Sequence, residues 1–369
     1  MASERPPFRA DHVGSLLRPE ELKRARLEFK TGKFPAAVLK EVEDRSILKA
    51  IARQEAAGMQ SNTDGEFRRA FWHVDFLTGF EGIEATQGQY ALKFHGEGGA
   101  ESETKSMMVV TGKVRRTKPI MVSHFDFLKK NTKAAAKLCI PAPTYMHMRG
   151  GRKVVNDKAY PDVEEFWSDI TNAYREEIRD LGAAGCRYLQ IDDVSFATLC
   201  DEGIRAQVRR DGEDPDQLPA KYASIISSFL NSKPKDMAVT MHTCRGNHAS
   251  MWMAEGGYDA VAEAIFQTAV DGFFLEYDTE RAGGFEPLRF LPKGKKVVLG
   301  LVSSKKPQLE DKNQLKRRVE QASKYVPLEN LCLSPQCGFA SSEVGNRLTE
   351  DDQRRKLALV AETAREIWG

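Results

Sequence analysis

The sequence predicts an α/β protein built as a single (β/α)8 barrel, a TIM barrel, over residues 1–369. Three observations predict it. Short apolar runs occur eight times along the chain, longer segments with helical spacing separate most of them, and 369 residues is a length that one barrel reaches when it carries an insertion.

The first run is Phe8 to Val13, and Ala36 to Ala57 then carries helical spacing up to a weaker run at Met59 to Thr63. The third is Leu138 to Thr144. A helical segment at Val163 to Leu181 leads to Tyr188 to Ile191, and another at Ala220 to Leu230 leads to Ala238 to Thr243. The sixth run, Gly272 to Tyr277, follows the segment Tyr258 to Ala269. Lys296 to Val302, the segment Asp311 to Tyr325 and the run Leu331 to Ser334 come next, with Thr349 to Trp368 as a closing helix. Gly58, Gly182 and Gly185 stand near helix ends, where a positive φ is commonly required.

Residues 70–130 break the rhythm. They carry Gly79, Gly82, Gly88, Gly96, Gly98 and Gly99 and the β-like stretch Met107 to Val110, which predicts a hairpin-bearing insertion between the second and third strands.

Composition narrows the function classes. The chain has 55 Lys plus Arg against 53 Asp plus Glu, a net charge of +2, which is too small and too evenly spread to hold a nucleic acid or an anionic membrane. The N-terminal segment Met1 to Pro7 is polar and shows no secretory signal, and no run approaches a membrane span. A cytoplasmic location is expected, where the cysteines at 139, 186, 200, 244, 332 and 337 are thiols or metal ligands rather than disulfides. The expected partner is a small molecule, and a homo-oligomer is compatible with the sequence.

In a (β/α)8 barrel the chemistry belongs at the C-terminal ends of the strands. The fifth run there reads His242-Thr243-Cys244, the sixth Glu276-Tyr277-Asp278, and the eighth runs into Gln336-Cys337-Gly338. Strand periodicity puts His242 and Cys244 on one side, so an imidazole, two thiols and a carboxylate can converge at the mouth. Singly, each has a plainer reading: a packed histidine beside a buried cysteine, a structural acid paired with an arginine, a core thiol. Their shared position at neighbouring strand ends, with the donor types tetrahedral zinc prefers, favours a metal site.

The chain resembles the catalytic C-terminal barrel of cobalamin-independent methionine synthase and its short single-barrel homologues, over nearly its whole length. The resemblance rests on Asp11-His12-Val13-Gly14-Ser15, Thr63-Asp64-Gly65-Glu66, Gln190-Ile191-Asp192-Asp193 and the three segments above. It implies Zn2+ held by His242, Cys244, Glu276 and Cys337, and an amino-acid substrate held by Val13, Gly14, Ser15, Glu66 and Asp192. It further implies methyl transfer to the thiol of homocysteine, giving methionine, from a methyl-folate or another methyl donor.

Elementary chemistry agrees with those expectations. A free thiol has a pKa near ~8.5, and a bound zinc ion converts it to the nucleophilic thiolate. An amino acid presents an ammonium group that needs acidic partners once desolvated, which suits Glu66 and Asp192. Asp192 and Asp193 also have a plainer reading, as a strand-end turn and a helix cap. Backbone amides of Gly14, Ser15 and the Ser341-Ser342 segment are candidates for the substrate carboxylate.

Two positions depart from the family pattern. Where the family has a proton-donating histidine after the seventh strand, this chain reads Ser303-Ser304-Lys305-Lys306, so Lys305 is either the catalytic acid or a loop charge. Where the family stacks a tryptophan on the donor pterin, this chain reads Pro143-Thr144-Tyr145-Met146-His147-Met148, with Tyr145, His147, Trp72 and Trp167 as candidate substitutes. Two further readings stay open: a zinc alkyltransferase acting on another thiol such as coenzyme M, and a non-catalytic zinc- or thiol-binding barrel.

Overall fold

The computed structural model describes residues 5–369, apart from the side chains of Gln89 and Tyr90; the first four residues of the polar N-terminal segment lie outside the described residues. The strands are β1 (Ser61–Asn62), β2 (Glu81–His95), β3 (Glu101–Arg115), β4 (Ala135–Pro141), β5 (Tyr188–Asp193), β6 (Ala238–Thr243), β7 (Gly272–Glu276), β8 (Lys296–Val302) and β9 (Leu331–Pro335). Seven of them form one curled parallel sheet in the order β1-β4-β5-β6-β7-β8-β9, with helices in the connections. β5, β7 and β9 are buried at every residue, the signature of parallel strands covered on both faces.

The eighth staves position, next to β9, is taken by the run Phe8 to Val13. It pairs through one parallel bridge between Ala10 and Leu333, with Asp11 N–H donating to Leu333 O (3.0 Å) and Leu333 N–H to Arg9 O (2.9 Å). The run stays short of a full strand because the buried Asp11 carboxylate takes its amides: Phe8 N–H donates to Oδ2 (3.2 Å) and His12 N–H to Oδ1 (2.8 Å). Side chains bridge the gap to β1. Ser61 Oγ donates to Asp11 Oδ1 (3.0 Å) and Thr63 Oγ1 to Gly14 O (2.6 Å). Inside, Lys137 Nζ pairs with Asp11 Oδ1 at 3.1 Å, both side chains fully buried, and Tyr188 donates its hydroxyl proton to Asp11 Oδ2 (2.6 Å).

The helices follow the apolar spacing. Val163–Ala183 buries Phe166, Trp167, Ile170, Tyr174, Ile178 and Leu181 along one face, and Asp162 caps it by accepting from Glu164 N–H. Glu350–Trp368 opens on a reciprocal capping box between Thr349 and Asp352. Tyr258 to Ala269 divides into a 3-10 turn, Tyr258–Ala260, and a short helix, Ala262–Gln267. Helices Glu20–Lys30, Val122–Asn131 and Glu202–Arg210 go beyond the predicted set. Gly58 and Gly185 take positive φ at helix ends, whereas Gly182 lies inside its helix and is small for a different reason: a Cβ there would come within 2.5 Å of Pro234 Cγ.

The insertion is a long antiparallel hairpin, β2 against β3, as its glycines and apolar stretch predicted. Its tip returns to the barrel mouth. His95 N–H donates to Trp252 O (2.7 Å) and Trp252 N–H to His95 O (2.9 Å), and Phe94 packs with Met251 and Met253. The hairpin base is tied down by Glu177, a fully buried acid that accepts from Arg116 Nε (2.6 Å) and Met121 N–H (2.7 Å). No helix of the described residues is long and apolar enough to cross a membrane.

Candidate metal and substrate site

Parallel register places the polar residues in one layer at the strand ends. Asp192 on β5 is opposite His242 on β6, which is opposite Phe274 on β7, two residues before Glu276. Cys244 follows the end of β6, and Cys337 lies two residues beyond β9.

The structure brings His242, Cys244, Glu276 and Cys337 together: their ligand atoms all lie within 4.8 Å of one another, and all four residues are buried. The two sulfurs are 3.4 Å apart. All six cysteines of the chain are free thiols. Neither ring nitrogen of His242 has a nitrogen or oxygen hydrogen-bond partner, although the residue is only 2% exposed. A buried imidazole left in this way costs free energy unless something occupies its lone pair, and a cation held by a nitrogen, two sulfurs and an oxygen does so. The donor set and the orphaned imidazole therefore fit a tetrahedral divalent ion.

The electrostatics point the same way. Hydrogen bonding from Cys244 holds the Cys337 thiol well below its ordinary range, while the same contact and burial push Cys244 up. Burial works against charge on His242, yet the Cys337 sulfur, Asp192 and Glu276 push its pKa up. Burial raises Glu276, whose carboxylate accepts from Arg245 N–H (3.0 Å) and faces Arg281 (3.4 Å). Four groups that would share two protons in water compete for them here, and one bound cation would relieve that competition.

A second acidic cluster lies beside the first. Glu66, Cys139 and Asp192 bring their ligand atoms within 4.8 Å of one another. Burial pushes the Glu66 carboxyl up to about 7 against the pull of Arg69, and burial pushes Asp192 up to about 6 against the pull of His242. Glu66 sits at φ +60°, a left-handed conformation that costs a non-glycine residue roughly 1–2 kcal/mol. The turn holds it there: Glu66 N–H donates to Asp64 Oδ1 (2.9 Å), and Glu66 O accepts from Arg18 Nη2 (3.0 Å) and Arg69 N–H (3.0 Å). Asp192 is steered by Gln190, whose side-chain amide donates to Asp192 Oδ1 (2.7 Å) and Val13 O (2.6 Å).

Two glycines permit the close approach of the first run. Gly14 has φ +136°, and a Cβ there would come 2.6 Å from Cys139 Sγ. A Cβ on Gly338 would collide with Ser15 Oγ. Both clusters open into one cavity of about 240 Å³, lined among others by Val13, Ser15, Glu66, Asp192, His242, Cys244 and Cys337.

The sequence-predicted residues divide on this geometry. Trp72 and Tyr145 line the cavity, with ring centroids 5.2 Å apart. His147 and Trp167 do not; their rings pack against each other, tilted by 56° at 5.4 Å, and His147 is further engaged by Tyr222 Oη at 2.9 Å and Glu213. Lys305 is 6% exposed, and its ammonium donates to Gly246 O and Asn247 Oδ1, each at 3.2 Å. It lies outside the cavity wall, and its charge lowers the pKa of Glu276, Cys244 and Cys337. Ser341 lines the cavity, and its carbonyl accepts from Trp72 N–H (2.9 Å).

Sequence reasoning missed the far wall: Leu92, Phe94, Glu103, Thr104 and Ser106 from the hairpin, and His73, Asn247 and His248. His73 adjoins Trp72, a residue the sequence did single out, but nothing in the spacing of β2 and β3 indicates that they fold back over the mouth.

A curled parallel sheet with a nitrogen, sulfur and oxygen donor set at its carboxyl ends defines a barrel-type α/β protein with a candidate metal centre. The chain belongs to the family of the cobalamin-independent synthase catalytic domain, whose family model matches residues 8–362. It is 44% identical over 369 residues to the uncharacterized Bacillus subtilis protein YxjG, covering 99% of this chain and 96% of that one. It is 24% identical over 333 residues to the methionine synthase of Pyrococcus abyssi, covering 89% and 85% of the two chains. Among solved structures, a Listeria monocytogenes protein named as a candidate vitamin-B12-independent methionine synthase superposes with a TM-score of 0.79 at 37% identity, over the whole of both chains.

Proposed function

We propose that this protein is a zinc-dependent methyltransferase that moves a methyl group to the thiol of homocysteine, forming methionine. The observation that carries the reading is the adjacency of the two buried clusters: the His242, Cys244, Glu276 and Cys337 set and the Glu66 and Asp192 carboxylate pair, opening into one cavity. Their relation matches a small amino acid with a thiol at its far end.

The zinc ion, held by His242, Cys244, Glu276 and Cys337, would supply the positive charge that keeps the substrate sulfur deprotonated near neutral pH. The chain's own residues do the rest. Glu66 and Asp192, each disfavoured as a buried anion, are both relieved by one ammonium group placed between them. The backbone at Val13, Gly14 and Ser15, brought close by the missing side chains at Gly14 and Gly338, is assigned to orient the amino acid. Arg245 N–H and Arg281 hold the Glu276 carboxylate in the position from which it would bind the ion.

Lys305, the candidate acid, has a supporting role in this reading: its charge steadies Glu276 and the two thiolates. Proton delivery from it requires breaking its bonds to Gly246 O and Asn247 Oδ1 first. The acid pair favours an α-amino acid over a sulfonate thiol such as coenzyme M, which would call for cations. Residues 1–369 would act as one catalytic unit, with the 70–130 insertion supplying a wall of its cavity, in a reducing compartment such as the cytoplasm that keeps six cysteines free.

The test is methionine formation from homocysteine and a panel of methyl donors by zinc-loaded protein, with and without a chelator. Methionine that disappears on chelation and returns with zinc supports the reading; zinc-independent product, or none from any donor, rejects it.

A further inference from the structure

We propose that the methyl donor is a small methyl sulfonium cation seated against the aromatic wall of the cavity, an inference that rests on the methyl-transfer reading above. Charge is the first observation. Four carboxylates line the cavity, Glu66 and Asp192 assigned to the substrate ammonium and Glu103 and Asp193 besides, and among the described residues lining it there is no lysine or arginine. A folate with a glutamate chain brings several carboxylates and needs cationic partners once desolvated. A monovalent cation needs the opposite surroundings, which this cavity has.

The wall is the second. Trp72, His73 and Tyr145 form one aromatic group, with centroids 4.8 Å apart for Trp72 and His73 and 4.2 Å for His73 and Tyr145, and Phe94 comes over from the hairpin. The His73 ring is buried and pushed down to about 3, so it adds no competing positive charge. Aromatic faces attract an onium cation within ~6 Å, most strongly where water is excluded. Size agrees as well. A cavity of about 240 Å³ lies below the ~300–1,000 Å³ typical of sites for drug-sized ligands.

The reaction balances without an acid. The acceptor thiolate attacks a methyl carbon, the new S–C bond forms, and the C–S bond of the sulfonium breaks with its electron pair going to the donor sulfur. That sulfur leaves as a neutral thioether and takes no proton. With trimethylsulfonium as donor the products are the methylated thiol and dimethyl sulfide. Lys305, outside the cavity wall and engaged by Gly246 and Asn247, has no proton to deliver in such a transfer.

The experiment has a binding arm and a transfer arm, both on the full-length zinc-loaded protein. Binding of trimethylsulfonium chloride is followed by tryptophan fluorescence and calorimetry in the wild type and in Trp72→Leu, which keeps apolar bulk and removes the indole face. Saturable binding that weakens roughly five-fold or more in Trp72→Leu is expected. In the transfer arm, homocysteine is supplied with trimethylsulfonium, 5-methyltetrahydropteroyltriglutamate or methylcobalamin, and methionine is measured. Methionine from the sulfonium alone is the expected result. Methionine from the folate or the cobalamin but not from the sulfonium overturns the donor class and leaves the function standing. Absence of sulfonium binding overturns it too, and a parallel zinc-edge absorption measurement of homocysteine ligation shows whether the function falls with it.

Discussion

Cys244 Sγ and Cys337 Sγ lie 3.4 Å apart although they are 93 positions apart in the sequence. One follows β6 and the other follows β9, so the curl of the sheet across β7 and β8 is what closes the gap. The pair is buried and not joined as a disulfide, with the His242 imidazole beside it lacking any nitrogen or oxygen partner. On the proposed reading, removing either sulfur removes a ligand rather than a structural bond.

Cys337→Ser and Cys244→Ser are expected to lose zinc on dialysis, with affinity reduced by more than the ~10–100-fold typical of losing a supporting residue. Metal analysis after dialysis, with circular dichroism to verify the fold, checks this. Stoichiometric zinc in both variants would remove these cysteines from the site.

Glu66→Gln and Asp192→Asn leave zinc content unchanged and weaken homocysteine. Loss of one charge-assisted bond of ~1.5–3 kcal/mol corresponds to roughly 10–150-fold in affinity. Titration of homocysteine into each zinc-loaded variant reads this directly, and wild-type affinity in both would place the ammonium elsewhere.

The raised Glu66 carboxyl fixes the sign of a pH effect on the ligand-free protein. Its folded pKa, about 7, lies above the ordinary 4.5, so the folded state holds the proton more tightly. The associated stability is complete below pH ~4.5 and is lost as pH rises through about 7, in total on the order of 3 kcal/mol. Urea denaturation at pH 5 and pH 8 checks it: Glu66→Gln should gain on the wild type at pH 8 and not at pH 5. Homocysteine binding near pH 6.5 should release protons, because the ammonium favours the ionised carboxylates.

Lys305→Met withdraws a positive charge that lowers the pKa of Glu276, Cys244 and Cys337. Protons then compete with zinc to higher pH, and the midpoint of zinc retention against pH moves up by roughly half a unit to one unit. An unmoved midpoint with lowered methyl transfer would instead indicate direct participation of Lys305 in the reaction.

The barrel class and the strand-end residues were legible in the sequence because parallel strands read as apolar runs and their carboxyl ends fall at fixed places. His242, Cys244, Glu276 and Cys337 could be gathered on that basis alone. Phe8 to Val13 was legible as an element but not as a one-bridge contact, since the Asp11 side chain redirects its amides. Phe94, Glu103 and His248 were not legible as cavity residues. Their position depends on the hairpin folding back over the mouth through His95 and Trp252, a long-range pairing that local spacing does not encode.

Zinc-edge X-ray absorption of the loaded protein, before and after homocysteine, tests the central claim most directly. The account predicts two sulfur and two nitrogen or oxygen neighbours in the resting protein, becoming three sulfurs with one oxygen lost when the thiol is added. A shell that contains no cysteine sulfur, or one that homocysteine leaves unchanged, would contradict it.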